Sequence, residues 1–181
     1  RYRGTIHEQL VPVDGDDVSA APTGVGYGHT GYSHAPDSPG HKSHRNKAML
    51  QEALERDPND DYYLFQLGKA HAALGEHADA ANAFARALDQ LTFSAGGAAA
   101  GRGGTVPPEN VVDLLTGLAY ARANNGDPAA ARNVLERYHR QGGPWKQYPD
   151  FDYALGYVCL VMGDVDAAAT AFEHALTLGP A

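Results

Sequence analysis

"LGKAHAALGEHADAANAFARAL", residues 67–88, is the first of three stretches of the sequence that share one pattern. The other two are "LAYARANNGDPAAARNVLERY", residues 118–138, and "LGYVCLVMGDVDAAATAFEHAL", residues 155–176. Each begins with Leu and a small residue, and a Gly follows seven residues after the small one. An Ala lies five residues beyond that Gly, and a Phe or Leu lies nine residues beyond it. Agreement at all of these positions identifies an internal repeat.

The spacing within each repeat is typical of a helical hairpin. The central glycine falls where two antiparallel helices would turn, and glycine tolerates the positive φ that such turns use. The small residue after the Leu would let the two helix axes approach closely, and the Phe or Leu would fill the layer between repeats. Upstream, "RNKAMLQEALERDPND", residues 45–60, places Met49 or Leu50 on one helical stripe with Ala53 and Leu54. The pattern predicts an all-α fold of stacked hairpins.

The repeat resembles the tetratricopeptide repeat family, whose unit is about 34 residues long. Gly126 follows Gly75 by 51 residues, and Gly163 follows Gly126 by 37. The excess in the first interval is "SAGGAAAGRGGTVPP", residues 94–108, which we expect to be a flexible insertion because Gly and Ala offer little to a core. Residues 46–60 resemble the second helix of an incomplete earlier repeat. The resemblance implies a right-handed α-solenoid over residues 45–181.

By analogy with the same family, the first helix of each hairpin would line a groove. The residues that the resemblance places there are Tyr62, Phe65, Lys69, Thr116, Tyr120, Asn124, Tyr153 and Tyr157. Such an aromatic and mildly polar lining suits an extended peptide, so a protein or peptide partner is expected. The set of Lys, Asn and Arg side chains with which chaperone-binding members clamp a terminal carboxylate is not assembled, which disfavours that class of partner.

Composition narrows the remaining function classes. The net charge is −8 and no basic block stands out, so binding to nucleic acid is not expected. The apolar runs are too short for a membrane span. Cys159 is the only cysteine, which excludes an internal disulfide and suits a reducing compartment. A cytoplasmic location is therefore expected.

The first 44 residues have a different texture, with five of the nine histidines and a Gly/Pro-rich run. Three motifs occur there in order: "GTIHEQ" at 4–9, "HTGY" at 29–32 and "KSHRN" at 42–46. Together they resemble the end of a family-two inverting glycosyltransferase domain, in which "GRIHEQ" and "HYGY" recur on strands before a helix that opens tetratricopeptide repeats. Thr5 stands where that family usually has Arg, and Thr30 where it has Tyr. We expect residues 1–44 to be a short strand-and-loop remnant of such a domain.

This second resemblance implies specific roles. Glu8 would be the general base that deprotonates the acceptor, and His29, or alternatively His7, would help to hold a divalent metal on the diphosphate of a nucleotide sugar. The same residues would serve equally well as ordinary strand residues. The nucleotide-binding half of the domain would precede residue 1. We therefore expect this chain to be a region cut from a larger glycosyltransferase, to be inactive alone, and to hold no cofactor itself.

Two alternatives stay open. The chain could be a free-standing peptide-binding scaffold with no link to sugar transfer. A zinc site built from the early histidines, including "HKSH" at 41–44, is the other, but the run lacks the cysteine or carboxylate company that zinc usually has. An unpaired strand edge in residues 1–40 would favour self-association, so a homo-oligomer is a further expectation.

Overall fold

The computed structural model describes residues 2–3, 9–10, 41–94 and 96–179. Within these residues it contains seven α-helices and two small antiparallel sheets. The helices are α1 His41–Arg56, α2 Asp61–Ala73, α3 His77–Asp89, α4 Pro108–Asn124, α5 Pro128–Gln141, α6 Pro149–Val161 and α7 Val165–Leu178. The strands are β1 Tyr2–Arg3, β2 Gln9–Leu10, β3 Thr92–Phe93, β4 Ala99–Gly101 and β5 Gly104–Val106, and a 3-10 helix spans Pro144–Gln147.

Three helical hairpins, α2–α3, α4–α5 and α6–α7, confirm the reading of the repeat. Each turn has its glycine at positive φ: 74° at Gly75, 85° at Gly126 and 80° at Gly163. The amide of the next residue donates to a carbonyl five residues back, from Glu76 to His71, from Asp127 to Arg122 and from Asp164 to Cys159, at 2.9–3.0 Å. These bonds end the first helix in the same way three times.

The small residue of the repeat sits where the two helices of a hairpin touch. A Cβ added to Gly68 would lie 2.5 Å from the ring of Phe84, and one added to Gly156 would lie 2.6 Å from the ring of Phe172. The second hairpin uses Ala119 opposite the smaller Leu135, and both are fully buried. The predicted close approach of the two helices is therefore confirmed. Where the first helix has Ala instead of Gly, the second helix has Leu instead of the larger Phe.

The hydrophobic core forms two clusters that meet at α4. The first joins α1 to α4 and includes Leu64 and Phe84, and the second joins α4 to α6 and includes Trp145 and Phe151. On α1 the buried stripe uses Leu50, at 1% exposed, whereas Met49 is 38% exposed. The stripe therefore uses the second of the two residues that the sequence offered.

Ion pairs link consecutive repeats. Lys47 on α1 contacts Glu76 in the turn of the first hairpin, with Nζ 2.7 Å from Oε1. Arg132 on α5 contacts Asp164 in the turn of the third hairpin, with Nη1 2.9 Å from Oδ2. Lys47 and Arg132 occupy equivalent positions of the repeat, so one arrangement is used at two of the junctions between helix pairs.

The insertion differs from the flexible tract that its composition suggested. Its three short strands form an antiparallel sheet in the order β3-β4-β5. Phe93 packs edge-on against Trp145, with ring centroids 5.8 Å apart, and Ala99 is buried. A Cβ on Gly97 would lie 2.8 Å from the backbone of Gly143, so the insertion packs through its main chain. Small residues allow this approach, which side-chain composition does not reveal.

The tip of the insertion contacts the segment that joins α1 to α2. The backbone N–H of Arg102 donates to Asp61 Oδ1 at 3.0 Å, and its guanidinium pairs with Asp57. Near the N-terminus, β1 and β2 pair antiparallel, with Tyr2 opposite Leu10. Among the residues that the structure describes, no helix has both the length and the apolar character needed to cross a membrane. The right-handed twist of the array stays a prediction.

Candidate functional site

The first helices of the three hairpins, α2, α4 and α6, present one face built on a common spacing. Positions i, i+3 and i+7 fall on the same side of a helix. The residues at these positions are Tyr62, Phe65 and Lys69 on α2, Asp113, Thr116 and Tyr120 on α4, and Asp150, Tyr153 and Tyr157 on α6. We call these nine residues and Asn124, one turn beyond Tyr120, the first-helix face. It includes all eight residues predicted to line a groove.

At the α2–α4 junction, charged and aromatic groups meet across the face. The Lys69 ammonium lies 3.5 Å from Asp113 Oδ2 and 5.1 Å from the centroid of the Phe65 ring. Lys69 and Asp113 are about half exposed, so the pair is accessible from solvent and contributes little to stability. Thr116 is turned inward, because its hydroxyl donates to the Val112 carbonyl at 2.9 Å within its own helix.

At the α4–α6 junction, the structure brings three predicted residues into direct contact. The rings of Tyr120 and Tyr157 meet edge to face, with centroids 5.3 Å apart. The Tyr157 hydroxyl donates to Asn124 Oδ1 at 3.0 Å. Tyr153 packs its ring against Phe172 of α7, also at 5.3 Å, and remains 56% exposed. These contacts fix the rings while leaving part of each one accessible.

Two concavities open beside the first-helix face. One of about 420 Å³ lies between the first two hairpins and is lined by Lys69, Asp113, Thr116, Tyr120 and Asn124 of the face, with Phe84 below. A smaller one of about 140 Å³ lies under β5, between α2 and α4, and includes Tyr62 and Phe65. The insertion therefore forms a wall at one end of the predicted groove.

The surroundings of Tyr120 disfavour the charged form of its side chain. Burial, followed by the proximity of Tyr153, Asp150 and Tyr157, raises the pKa of Tyr120 to about 12.

The face carries one lysine and two aspartates. Asp113 and Asp150 were missed by sequence reasoning, although aligning the repeats would have found them, because both fall where the first hairpin has Tyr62.

The residues predicted for catalysis and metal binding, Glu8, His7 and His29, lie outside the described residues. Within the described part of the chain, His71, Glu76 and Asp79 bring metal-ligand atoms within 4.8 Å of one another. Lys47 Nζ already lies 2.7 and 2.8 Å from the two Glu76 oxygens, and His71 Nδ1 lies 2.6 Å from one of them. The hydrogen bonds from Lys47 and His71 hold the pKa of Glu76 below its usual value. A metal ion would have to displace the Lys47 ammonium from Glu76. We therefore interpret this cluster as an ion pair that connects α1 to the turn of the first hairpin.

Comparison with protein families decides the class of the chain. A family profile described as "Tetratricopeptide repeat" matches residues 47–95 and 116–181. The chain belongs to the tetratricopeptide repeat family. The gap between the two matched ranges contains β4 and β5, so the insertion is where this tetratricopeptide repeat protein departs from the profile.

Solved structures give the same fold. One titled "Crystal structure of MamA" aligns with a TM-score of 0.58 and 23% identity, over 81% of this chain and 77% of that one. Another titled "MamA MSR-1 C2" aligns with a TM-score of 0.55 and 15% identity, over 76% of this chain and 68% of that one. At these identities the likeness concerns the fold alone. A search of curated proteins finds no match.

The resemblance of residues 1–46 to a glycosyltransferase has no counterpart in these comparisons. The family match begins at residue 47, after the three motifs that carry the resemblance. The tetratricopeptide reading is thus confirmed, and the link to sugar transfer stays a prediction.

Proposed function

We propose that this tetratricopeptide repeat protein binds an extended segment of a partner protein along its first-helix face. The observation that carries the proposal is that Tyr120 of α4 and Tyr157 of α6 contact each other and stay partly exposed. Of the eight residues chosen by family analogy, six are at least partly exposed, whereas Phe65 and Thr116 are buried. An open concavity of about 420 Å³ lies beside the α2–α4 part of the first-helix face. Extended segments bind well to such surfaces because aromatic side chains supply contact area and polar groups fix the register of the segment.

The partly buried tyrosines of the face support this function. Tyr120 and Tyr157 touch each other and remain partly accessible, so their rings are already ordered before any partner arrives. An ordered aromatic surface loses little conformational entropy on binding. The face therefore needs little rearrangement to accept a segment.

The test uses a phage-displayed library of random 12-residue peptides. Peptides selected on the wild-type protein should lose binding to the Tyr120→Ala/Tyr157→Ala variant. The matched control is Asn133→Ala/Arg137→Ala, which truncates two exposed side chains on α5, a second helix of a hairpin, and should leave binding unchanged. Helix content and the urea midpoint of each variant verify folding. Equal recovery of the selected peptides on both variants would contradict the proposal.

A second proposal is the association with sugar transfer. It is supported by the order of "GTIHEQ", "HTGY" and "KSHRN" in residues 4–46. In that setting Glu8 is the base, His29 or His7 helps to hold a divalent metal, and a nucleotide sugar is the donor. The reading frame upstream of Arg1 tests it: a nucleotide-binding half with an Asp-rich metal motif supports the association, and its absence contradicts it. The cytoplasmic location and the homo-oligomer stay predictions.

A further inference from the structure

We infer that the α4–α6 end of the first-helix face binds an arginine side chain of the partner segment. The residues concerned are Tyr120, Tyr153, Tyr157 and Asp150, which we call the tyrosine site. The inference rests on the proposed function, because it names the chemistry of the segment that this face accepts.

The tyrosine site is assembled from two helices. Asp150, Tyr153 and Tyr157 follow one another at i, i+3 and i+7 along α6, so they share one side of that helix. Tyr120 reaches them from α4, with its ring centroid 5.3 Å from that of Tyr157. Three aromatic rings and one carboxylate therefore occupy neighbouring positions on one side of α6 and the adjoining part of α4.

Neighbouring groups hold these rings in place. The Tyr157 hydroxyl is tied to Asn124 Oδ1 at 3.0 Å, and the Tyr153 ring rests on Phe172 of α7. Tyr153 is nevertheless 56% exposed, so a ligand can reach it. An aromatic site that is already ordered loses less entropy when it binds than one that must first assemble.

The charge of the site is complementary to a cation. Asp150 is exposed, and it takes part in no ion pair among the residues that the structure describes. The other carboxylate of the face, Asp113, lies near the Lys69 ammonium. Tyrosine faces attract cations through their quadrupole. An acidic segment would instead meet the Asp150 carboxylate and be repelled.

Arginine fits this combination better than lysine. Its planar guanidinium stacks on an aromatic ring and at the same time offers two parallel N–H donors to a carboxylate. A lysine ammonium is a compact, strongly hydrated charge that satisfies only one of these contacts well. The juxtaposition of ring faces with a carboxylate one helical turn away favours the planar group.

The experiment measures fluorescence anisotropy with a fluorescein-labelled peptide of alternating serine and arginine. Versions with citrulline, which keeps the shape and removes the charge, and with lysine are measured in parallel. The arginine peptide should bind at least about tenfold more tightly than the citrulline peptide, and the lysine peptide should fall between them. Equal binding of the arginine and citrulline peptides would overturn the inference.

Variants separate the tyrosine site from the general negative charge of the protein. Asp150→Asn should weaken arginine-peptide binding about fivefold or more. The matched control, Asp166→Asn, removes one charge from the first turn of α7 and should change binding less than about twofold. Tyr153→Phe, which keeps the ring, should retain binding that Tyr153→Leu loses. Equal effects of the two Asp variants, or of the two Tyr153 variants, would refute the site.

Library-selected peptides distinguish failure of this inference from failure of the proposed function. If those peptides require Tyr120 and Tyr157 but tolerate citrulline in place of every arginine, the face binds segments and the arginine site is wrong. If no selected peptide depends on Tyr120 and Tyr157, the proposed function itself is wrong.

Discussion

Replacing Gly68 by alanine tests the close packing on which the repeat is built. Gly68 lies inside α2, and the Phe84 ring of α3 lies over it. The added Cβ would meet three atoms of that ring, at 2.5, 2.6 and 2.8 Å. Distances this short cannot persist, so either the ring or the helix must move.

The sign of the effect depends on how far the Phe84 ring can move. Gly→Ala inside a helix gains about 1 kcal/mol from backbone entropy. Overpacking a filled site costs about 1–3 kcal/mol. Phe84 is only 2% exposed, and its ring also lies close to Gly117 of α4, where an added Cβ would be 2.9 Å from it, so α4 limits movement of the ring in that direction. The cost therefore falls in the upper part of its range, and we expect a net destabilisation of about 1–2 kcal/mol.

Urea unfolding measures this change. With a slope of about 2 kcal/mol per molar urea, the midpoint should fall by roughly 0.5–1 M. Circular dichroism follows all helices, and fluorescence follows Trp145, which lies in the second core cluster. Coincidence of the two transitions checks that the array unfolds as one unit.

The second hairpin supplies the compensating variant. It pairs Ala119 with Leu135, so Gly68→Ala/Phe84→Leu reproduces that pair in the first hairpin. The double variant should be more stable than the sum of the two single changes by about 1 kcal/mol or more. A Gly68→Ala protein as stable as wild type, or strict additivity of the two changes, would refute the packing argument.

Three further predictions concern stability. Gly97→Ala should lower the free energy of unfolding by about 2 kcal/mol or more, because the site combines positive φ with a close backbone neighbour. The control Gly103→Ala should be nearly neutral, because an added Cβ meets open space there. Equal urea midpoints of the two variants would contradict tight packing of the insertion. Ala81 lies at the position equivalent to Lys47 and Arg132, so the variant Ala81→Arg should form an ion pair with Asp127. A double-mutant cycle with Asp127→Asn should show about 0.5 kcal/mol of coupling. Zero coupling would contradict the equivalence of the three positions. Because the pKa of Glu76 is lowered in the folded state, its contribution is present above the unfolded-state pKa and is lost as the pH falls through the folded-state pKa. The urea midpoint of wild type should therefore fall more steeply than that of Glu76→Gln from about pH 5 to about pH 3, and parallel curves would contradict the assignment.

Local spacing was enough to predict the hairpins, because the requirements at their turns are local. Gly75 must adopt positive φ and Gly68 must make room, and both needs show in the sequence as fixed intervals. The buried residue on α1 was ambiguous between Met49 and Leu50, since adjacent positions lie only about 100° apart on a helix. Packing against α2 decides between them.

Features that depend on contacts between distant segments could not be predicted. The order of the insertion depends on Gly97 meeting Gly143, which lies 46 residues further along the chain. The tyrosine site depends on the separation of α4 and α6, which brings Tyr120 against Tyr157. Family analogy placed both tyrosines on one face, but it did not supply their contact or the carboxylate of Asp150.

The sheet formed by β3, β4 and β5 changes how the array responds to unfolding. In a simple repeat protein each unit touches only its neighbours, so the ends fray independently and stability is a sum of local contributions. Here the tip of the insertion holds Asp57 and Asp61 at the start of the array, while Phe93 is inserted against Trp145 near the third hairpin. The insertion thus connects the start of the array with the residues that precede the third hairpin. Fraying of α1 and α2 is therefore coupled to the middle of the molecule. The backbone amides of α1 and α2 should exchange with solvent more slowly than those of α7, which the insertion does not contact in the described residues.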